Sequence, residues 1–115
     1  MSVQPLIHLA PISGFTDYPF RTLALRLGVH FCWTEMISVH AFNAKNTKLE
    51  TQLKVYPGDQ ERTGVQLLGN DPLLIKSVLE SDYLAHFKVV NLNLGCPVRR
   101  VMSNKEGCYL LSDFK

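Results

Sequence analysis

The fold is decided by the stretch Val90-Asn91-Leu92-Asn93-Leu94-Gly95-Cys96-Pro97. Its aliphatic residues predict a buried β-strand over residues 89–94. Gly95 permits a tight turn, and Pro97 cannot continue a hydrogen-bonded ladder, so the strand has to end here. Cys96 is therefore delivered at the carboxyl end of a strand, which is where parallel α/β folds place their chemistry.

Three further strand–helix units precede this strand. Apolar runs predict strands over residues 6–12, 30–34 and 64–68. Helices are expected to begin at Thr16 or Asp17 and at Asn70 or Asp71, each with a proline in its first turn. The remaining predictions are a helix over residues 37–46, a loop or short hairpin over residues 48–62, a polar loop after Cys96, and the start of a helix at residues 108–111.

Alternating strands and helices predict a parallel sheet joined by right-handed crossovers. No G-x-G-x-x-G segment follows the first strand, which disfavours a dinucleotide-binding doubly wound fold. The remaining candidate is an α/β fold of about 250 residues, the TIM (β/α)8 barrel. With 115 residues, the chain is expected to be one truncated domain, residues 1–115, that supplies roughly the first four β/α units.

Composition sets broad limits on function. The net charge of +2 neither favours nor excludes nucleic-acid binding, because charge can be local. Three cysteines without zinc-site spacing favour a reducing compartment. The amino terminus lacks the features of a signal peptide, and no apolar run is long enough to span a membrane. We therefore expect a cytoplasmic protein with no membrane span and no metal site.

Polar and reactive side chains follow the predicted strand ends. Gln66 and Asn93 place amides on neighbouring strands, and such a pair matches a flat heterocycle with alternating carbonyls and ring nitrogens, such as an isoalloxazine. Each signal also has a plainer explanation, because an isolated free cysteine such as Cys96 more often behaves as a small hydrophobe. Arg99 and Arg100, just after the Cys-Pro turn, fit a solvated loop or a phosphate contact equally well.

Four segments carry a resemblance to a known family. They are Ala10-Pro11-Ile12-Ser13-Gly14-Phe15-Thr16-Asp17, Thr34-Glu35-Met36, Val65-Gln66-Leu67-Leu68-Gly69-Asn70-Asp71-Pro72 and Asn91-Leu92-Asn93-Leu94-Gly95-Cys96-Pro97-Val98. Together they resemble the tRNA-dihydrouridine synthases along essentially the whole chain. The resemblance implies the N-terminal half of an FMN-binding catalytic barrel that reduces uridine in tRNA to dihydrouridine, with NADPH as electron donor.

The resemblance also implies roles for individual residues. Cys96 matches a cysteine that protonates carbon 5 of the uridine, while the reduced flavin gives a hydride to carbon 6. An ordinary cysteine thiol is mostly protonated at neutral pH, which suits a proton donor. The residues implied to contact the flavin are Pro11, Ile12, Ser13 and Gln66. The residues implied to contact the substrate are Asn93, Glu35, Ser38, Arg99 and Arg100.

Two departures from the family pattern and two other functions stay open. Ile12 stands where a methionine is common, and only Gly107 remains of a glycine-rich segment after the cysteine. The alternatives are another FMN-dependent barrel oxidoreductase that acts on a free pyrimidine, and a non-catalytic half-barrel that serves as a binding or assembly module through open sheet edges. The chain alone is expected to be inactive, because the implied flavin-phosphate site lies beyond Lys115; the oligomeric state is left open.

Overall fold

The computed structural model describes residues 5–44 and 47–112. Its four strands are β1 at His8–Leu9, β2 at Phe31–Ser38, β3 at Thr63–Leu68 and β4 at Val90–Leu92. They form one sheet in the order β1-β2-β3-β4, and every neighbouring pair is parallel. A strand order that follows the chain without reversal is that of a β/α barrel, since doubly wound sheets reverse direction at a switch point. The predicted parallel sheet is confirmed.

Helical segments connect the strands. The α-helices are α1 at Tyr18–Arg26, α2 at Thr47–Leu53, α3 at Pro72–Leu79 and α4 at Arg99–Ser103, and 3₁₀ turns cover Val39–Phe42, Gln60–Arg62, Asp82–Leu84 and Gly107–Ser112. The Asp17 carboxylate accepts the Phe20 N–H at 3.0 Å, and the Asp71 carboxylate accepts the Leu73 N–H at 2.9 Å. Both predicted caps are therefore confirmed, each with a proline in the first turn.

The hydrophobic core lies between the central strands and the helices α2 and α3. Val65 and Leu67 of β3 are fully buried there. Their partners in the cluster are Ile37, Val39, Leu49, Leu53, Val78, Leu84 and Phe87. Because side chains alternate along a strand, Gln66 between them faces the opposite side of the sheet. Because Val65 and Leu67 are used by the core, Gln66 is left on the other face of the sheet, where it can belong to a functional site.

Helix α1 buries a charged side chain and exposes apolar ones. Phe20, Leu23 and Leu27 are exposed, whereas Arg21 is only 2% exposed. The Arg21 guanidinium donates to the carbonyls of Thr16 at 2.5 Å and Lys54 at 2.6 Å, with a longer bond to that of Gln52. Burial lowers the pKa of Arg21. The side chain nevertheless ties α1 to the carbonyl groups at the end of α2, where a cation is favoured.

A β-bulge interrupts the pairing of β2 with β3. Trp33 pairs with Gly64 and Met36 pairs with Gln66, so Thr34 and Glu35 together stand opposite Val65. Both bulge residues are buried. The Thr34 hydroxyl oxygen accepts the backbone N–H of Gln66 at 3.1 Å, which replaces a ladder bond that the bulge disrupts.

Several sequence predictions in the middle of the chain are wrong. No α-helix covers residues 37–44, because β2 continues to Ser38 and a 3₁₀ turn follows; residues 45 and 46 of that prediction lie outside the described residues. The segment predicted as a loop over residues 48–62 contains α2. Leu49 and Leu53, one helical turn apart, are both buried in the core. Their burial stabilises the helix, which the polar composition of the surrounding residues made difficult to predict from the sequence.

Predictions near both sheet edges need correction as well. The first strand is only two residues long, and β4 is exposed rather than buried, with Val90 at 39% and Leu92 at 36%. The reason is that β4 pairs only with β3 among the described strands. The loop after Cys96 contains α4, and residues 108–111 lie in a 3₁₀ turn instead of an α-helix.

We predict a pH-dependent contribution of Cys32 to stability. Its side chain is fully buried in β2, and burial raises the pKa of Cys32 from 9.0 to about 11. Above pH 9 the unfolded chain therefore ionises this thiol first, and folding stability falls as the pH approaches 11. Denaturant unfolding from pH 8 to pH 11 should show a decline about 1–2 kcal/mol larger for the unaltered chain than for Cys32→Ala. Equal declines would contradict the prediction, since the other titrating groups are shared.

Candidate functional site

A cavity of about 250 Å³ lies against the face of the sheet opposite the core. Its lining residues are His8, Ala10, Pro11, Trp33, Gln66 and Asn91. They come from all four strands or from the loop directly after β1. In a β/α barrel this face of the sheet is the interior, and the carboxyl ends of the strands form the functional mouth.

Aromatic rings occupy the amino-terminal end of this cavity. The Phe31 and Trp33 rings meet edge to face at 5.1 Å between centroids, and the His8 ring lies 5.5 Å from that of Phe31. A Cβ atom at Gly64 would lie 2.5 Å from Trp33 Cζ3. Glycine is therefore required beneath the Trp33 ring. His8 and Trp33 line the cavity, and Phe31 packs against both rings; we call these three rings the aromatic floor.

Three side-chain amides follow one another toward the carboxyl ends of β3 and β4. Gln66 Nε2 donates to Asn91 Oδ1 at 2.7 Å, and Asn93 Nδ2 donates to Gln66 Oε1 at 2.9 Å. Asn93 Oδ1 accepts the backbone N–H groups of Gly95 at 3.1 Å and Cys96 at 2.9 Å. We call these three side chains the amide chain. The prediction that Gln66 and Asn93 are neighbours is confirmed.

Cys96 is half-buried in the turn after β4 and has a free thiol. Its N–H is bound by Asn93, and its carbonyl oxygen accepts the Cys108 N–H at 3.2 Å. Gly107 approaches the same turn so closely that an added Cβ would lie 2.6 Å from the Cys96 oxygen. The backbone of Cys96 is thus held from both sides, at the carboxyl end of a strand.

The loop after β1 forms the opposite border of the cavity. Pro11 lines the cavity, while Ile12 and Ser13 are exposed next to it. The Ile12 N–H donates to the Thr16 hydroxyl at 2.9 Å, and the Ile12 carbonyl accepts from the same turn. Glu35 is buried and accepts the Gly14 N–H at 2.6 Å. Its carboxylate therefore holds this loop from the β2 bulge.

Of the predicted site residues, Pro11 and Gln66 line the cavity, and the others lie outside its lining. Ser38 is half-buried at the end of β2, paired in register with Leu68. Arg99 and Arg100 begin α4 and are exposed, two residues beyond Pro97. Their contact with a substrate stays a prediction.

Two negative findings apply to residues 5–44 and 47–112. In these residues, no three potential metal ligands lie together in a cluster. No helix in the same residues has the length and apolar character that a membrane span needs.

Sequence reasoning missed Asn91 as a site residue. Asn91 pairs in register with Gln66 and lines the cavity beside it. The period-two alternation of a strand places Asn91 and Asn93 on the same face, so the pattern Asn-Leu-Asn contained the signal. The hydrogen bond from the Gln66 N–H to the Thr34 hydroxyl was missed for another reason. It forms at a β-bulge, which has no recognisable pattern in this sequence.

Comparison with known proteins assigns a family. Residues 8–115 match the family model described as dihydrouridine synthase. The chain belongs to the dihydrouridine synthase family. Within this family it is 34% identical to tRNA-dihydrouridine synthase B of Pseudomonas putida over 107 residues, which are 91% of this chain and 31% of the relative. It is 32% identical to the protein of the same name in Vibrio cholerae over 103 residues, covering 90% of this chain and 32% of the relative.

Membership of the dihydrouridine synthase family agrees with the observed architecture. The sheet order and the helices between its parallel strands fit part of a TIM barrel, which confirms the predicted fold class. The chain spans about a third of the length of the curated relatives that it matches. The described strands β1–β4 are thus the portion of a dihydrouridine synthase barrel that this chain contains.

We predict that Gly107→Ala displaces the Cys96 turn. Gly107 has φ +62°, and an added Cβ would meet the Cys96 oxygen and Val101 at less than 3.0 Å. Gly58→Ala is a matched control, because Gly58 also has a positive φ but has open space around the added atom. Gly58→Ala should cost about 1–2 kcal/mol of unfolding free energy, and Gly107→Ala clearly more. Alkylation of Cys96, followed by mass spectrometry, should change rate only in Gly107→Ala; unchanged alkylation would contradict the prediction.

Proposed function

We propose that this chain is part of an enzyme that reduces uridine in tRNA to dihydrouridine, with FMN as cofactor and NADPH as electron donor. The family and the names of the curated relatives support this proposal. The observation that carries it is the direct hydrogen-bonded connection from Cys96 through Asn93 to Gln66, which lines the cavity. A potential proton donor and a polar ring-binding edge are thereby fixed relative to each other.

The cavity has the chemistry that a flat flavin ring requires. Ala10, Pro11 and Trp33 offer apolar contact surface, while Gln66 and Asn91 offer amide groups along one edge. Gln66 and Pro11 would hold the ring, with Ile12 and Ser13 at the rim of the same loop. When bound, FMN supplies the hydride, and the protein has to provide position and a proton.

Cys96 is the residue that donates this proton. One hydride at carbon 6 and one proton at carbon 5 together saturate the uracil double bond, so the reaction balances with a thiol that ends as a thiolate. The firm attachment of the Cys96 backbone supports the role, because a general acid has to lie within hydrogen-bond reach of the atom it protonates. Asn93 orients the ring system beside it.

The remaining residues act on the RNA side of the site. The uridine has to be splayed out of the tRNA stack to reach a cavity of this kind. Arg99 and Arg100, exposed at the start of α4, would meet backbone phosphates, and Ser38, at the carboxyl end of β2, would contact the substrate. Glu35 contributes by holding Gly14 in the loop that borders the cavity. A cytoplasmic location stays a prediction.

The proposal is tested with a chimaera in which this chain replaces the matched 107 residues of the Pseudomonas putida relative. Cys96→Ala should leave flavin reduction by NADPH nearly unchanged and slow the formation of dihydrouridine by at least about 10²-fold. Cys108→Ala is the matched control, since Cys108 is also half-buried and free, but its thiol contacts Met102 and its backbone N–H does not bond to Asn93. Equal rates for the two variants would remove Cys96 from the mechanism.

The chimaera also separates the proposal from its alternatives. Reduction of free uracil or orotate without activity on tRNA would favour another flavin-dependent barrel oxidoreductase. Self-association of the 115-residue chain, together with no reduction by the chimaera, would favour an assembly module, because β1 and β4 each pair with one neighbour only among the described strands.

We predict that the 115-residue chain alone binds FMN weakly. Its cavity is bordered by four strands of a fold that has eight, so part of the ring and its side chain stays in water. Fluorescence titration should show little quenching of micromolar FMN. A yellow stoichiometric complex after gel filtration would contradict this prediction.

A further inference from the structure

We propose that the amide chain has a fixed polarity, set by the Cys96 turn, which makes Asn91 present its NH₂ group to the cavity. Asn91 thereby becomes a binding residue for a ligand edge that offers hydrogen-bond acceptors. The identity of that ligand as a flavin rests on the proposed function, whereas the polarity rests on the hydrogen bonds alone.

The polarity begins at two backbone groups. The N–H groups of Gly95 and Cys96 lie 3.1 Å and 2.9 Å from the same side-chain atom of Asn93. A backbone N–H can only donate, so this atom has to be the amide oxygen. The Asn93 side chain cannot rotate by half a turn without placing its own NH₂ group against two donors. Its NH₂ group must therefore point toward Gln66.

The same constraint passes through the next two side chains. Because Asn93 donates, the Gln66 atom at 2.9 Å has to be an acceptor, namely Oε1. Gln66 is only 8% exposed, and its Nε2 then faces Asn91 at 2.7 Å, so the Asn91 atom that meets it is Oδ1. The NH₂ group of Asn91 is left over. Among the described residues it has no hydrogen-bond partner.

The outcome is an edge that is rich in donors. Both N–H bonds of Asn91 and one of Gln66 remain without a partner in the described part of the chain, and both residues line the cavity. A ring that presents carbonyl oxygens or unprotonated nitrogens satisfies this edge. A ring that presents N–H groups would require all three amides to reverse, and the reversal would place the Asn93 NH₂ group against the N–H groups of the Cys96 turn.

The polarity is tested by Asn93→Asp. The carboxylate still accepts the N–H groups of Gly95 and Cys96 but cannot donate to Gln66. Gln66 should therefore turn and donate to residue 93, and Asn91 should turn and donate to Gln66 Oε1. We expect hydrogen exchange of the Asn91 NH₂ group, followed by NMR on the 115-residue chain, to slow by about fivefold, the factor for one net hydrogen bond near 1 kcal/mol.

A second variant controls for the added charge. Asn43→Asp introduces the same carboxylate at an exposed position outside the amide chain and should leave exchange at Asn91 unchanged. The polarity is refuted if Asn91 exchange in Asn93→Asp stays the same while the Gly95 and Cys96 N–H groups remain protected. A merely structural amide cluster would loosen at residue 93 and would not transfer protection to Asn91.

The ligand side is tested separately by FMN titration of the chimaera. Asn91→Asp still accepts from Gln66 but has no donor for a ring acceptor, and we expect FMN affinity to fall by about tenfold or more, as for the loss of a hydrogen bond whose partner stays desolvated. Unchanged affinity would remove Asn91 from the binding site even if the exchange experiment supports the polarity. No FMN binding by the unaltered chimaera would instead overturn the flavin assignment and the proposed function, independently of the exchange result.

Discussion

Two backbone N–H groups, those of Gly95 and Cys96, share the side-chain oxygen of Asn93, and the geometry of the candidate site follows from this contact. Asn93 is itself tied to β3, because its backbone N–H donates to the Leu67 carbonyl at 2.8 Å. The Cys96 carbonyl is held on the other side by Cys108. These bonds hold the backbone of the Cys96 turn in place relative to the sheet, as the proposed role of its thiol as a proton donor requires.

The bulge in β2 gives the opposite border of the cavity a comparable support. The bulge puts two buried residues, Thr34 and Glu35, opposite one residue of β3. The Thr34 hydroxyl accepts the Gln66 N–H, and the Glu35 carboxylate accepts the Gly14 N–H. The Thr34 hydroxyl thus takes the place of a missing ladder bond, while the Glu35 carboxylate, within the same strand, accepts a hydrogen bond from the loop after β1. Both loops that border the cavity are therefore anchored to central strands, so an irregularity in the ladder serves the site.

The parts of the structure that sequence reasoning predicted are those with local causes. The two aspartate caps, the parallel sheet, β3 and the placement of Gln66 and Asn93 on neighbouring strands depend on spacing and turn chemistry. Helix α2 was missed because only Leu49 and Leu53 mark it, and their effect arises from a core formed by distant residues. The burial of Arg21 was equally hidden, since its acceptors Thr16 and Lys54 come from two separate segments. Asn91 was within reach, given its alternation with Asn93.

The aromatic floor has a consequence for what can stand at position 64. The Trp33 ring lies so close to Gly64 that an added Cβ atom would be 2.5 Å from Trp33 Cζ3. The same ring meets Phe31 edge to face. Any larger side chain at position 64 would have to displace Trp33, which lines the cavity, so the amino acid on one strand controls the shape of the cavity through a ring on its neighbour.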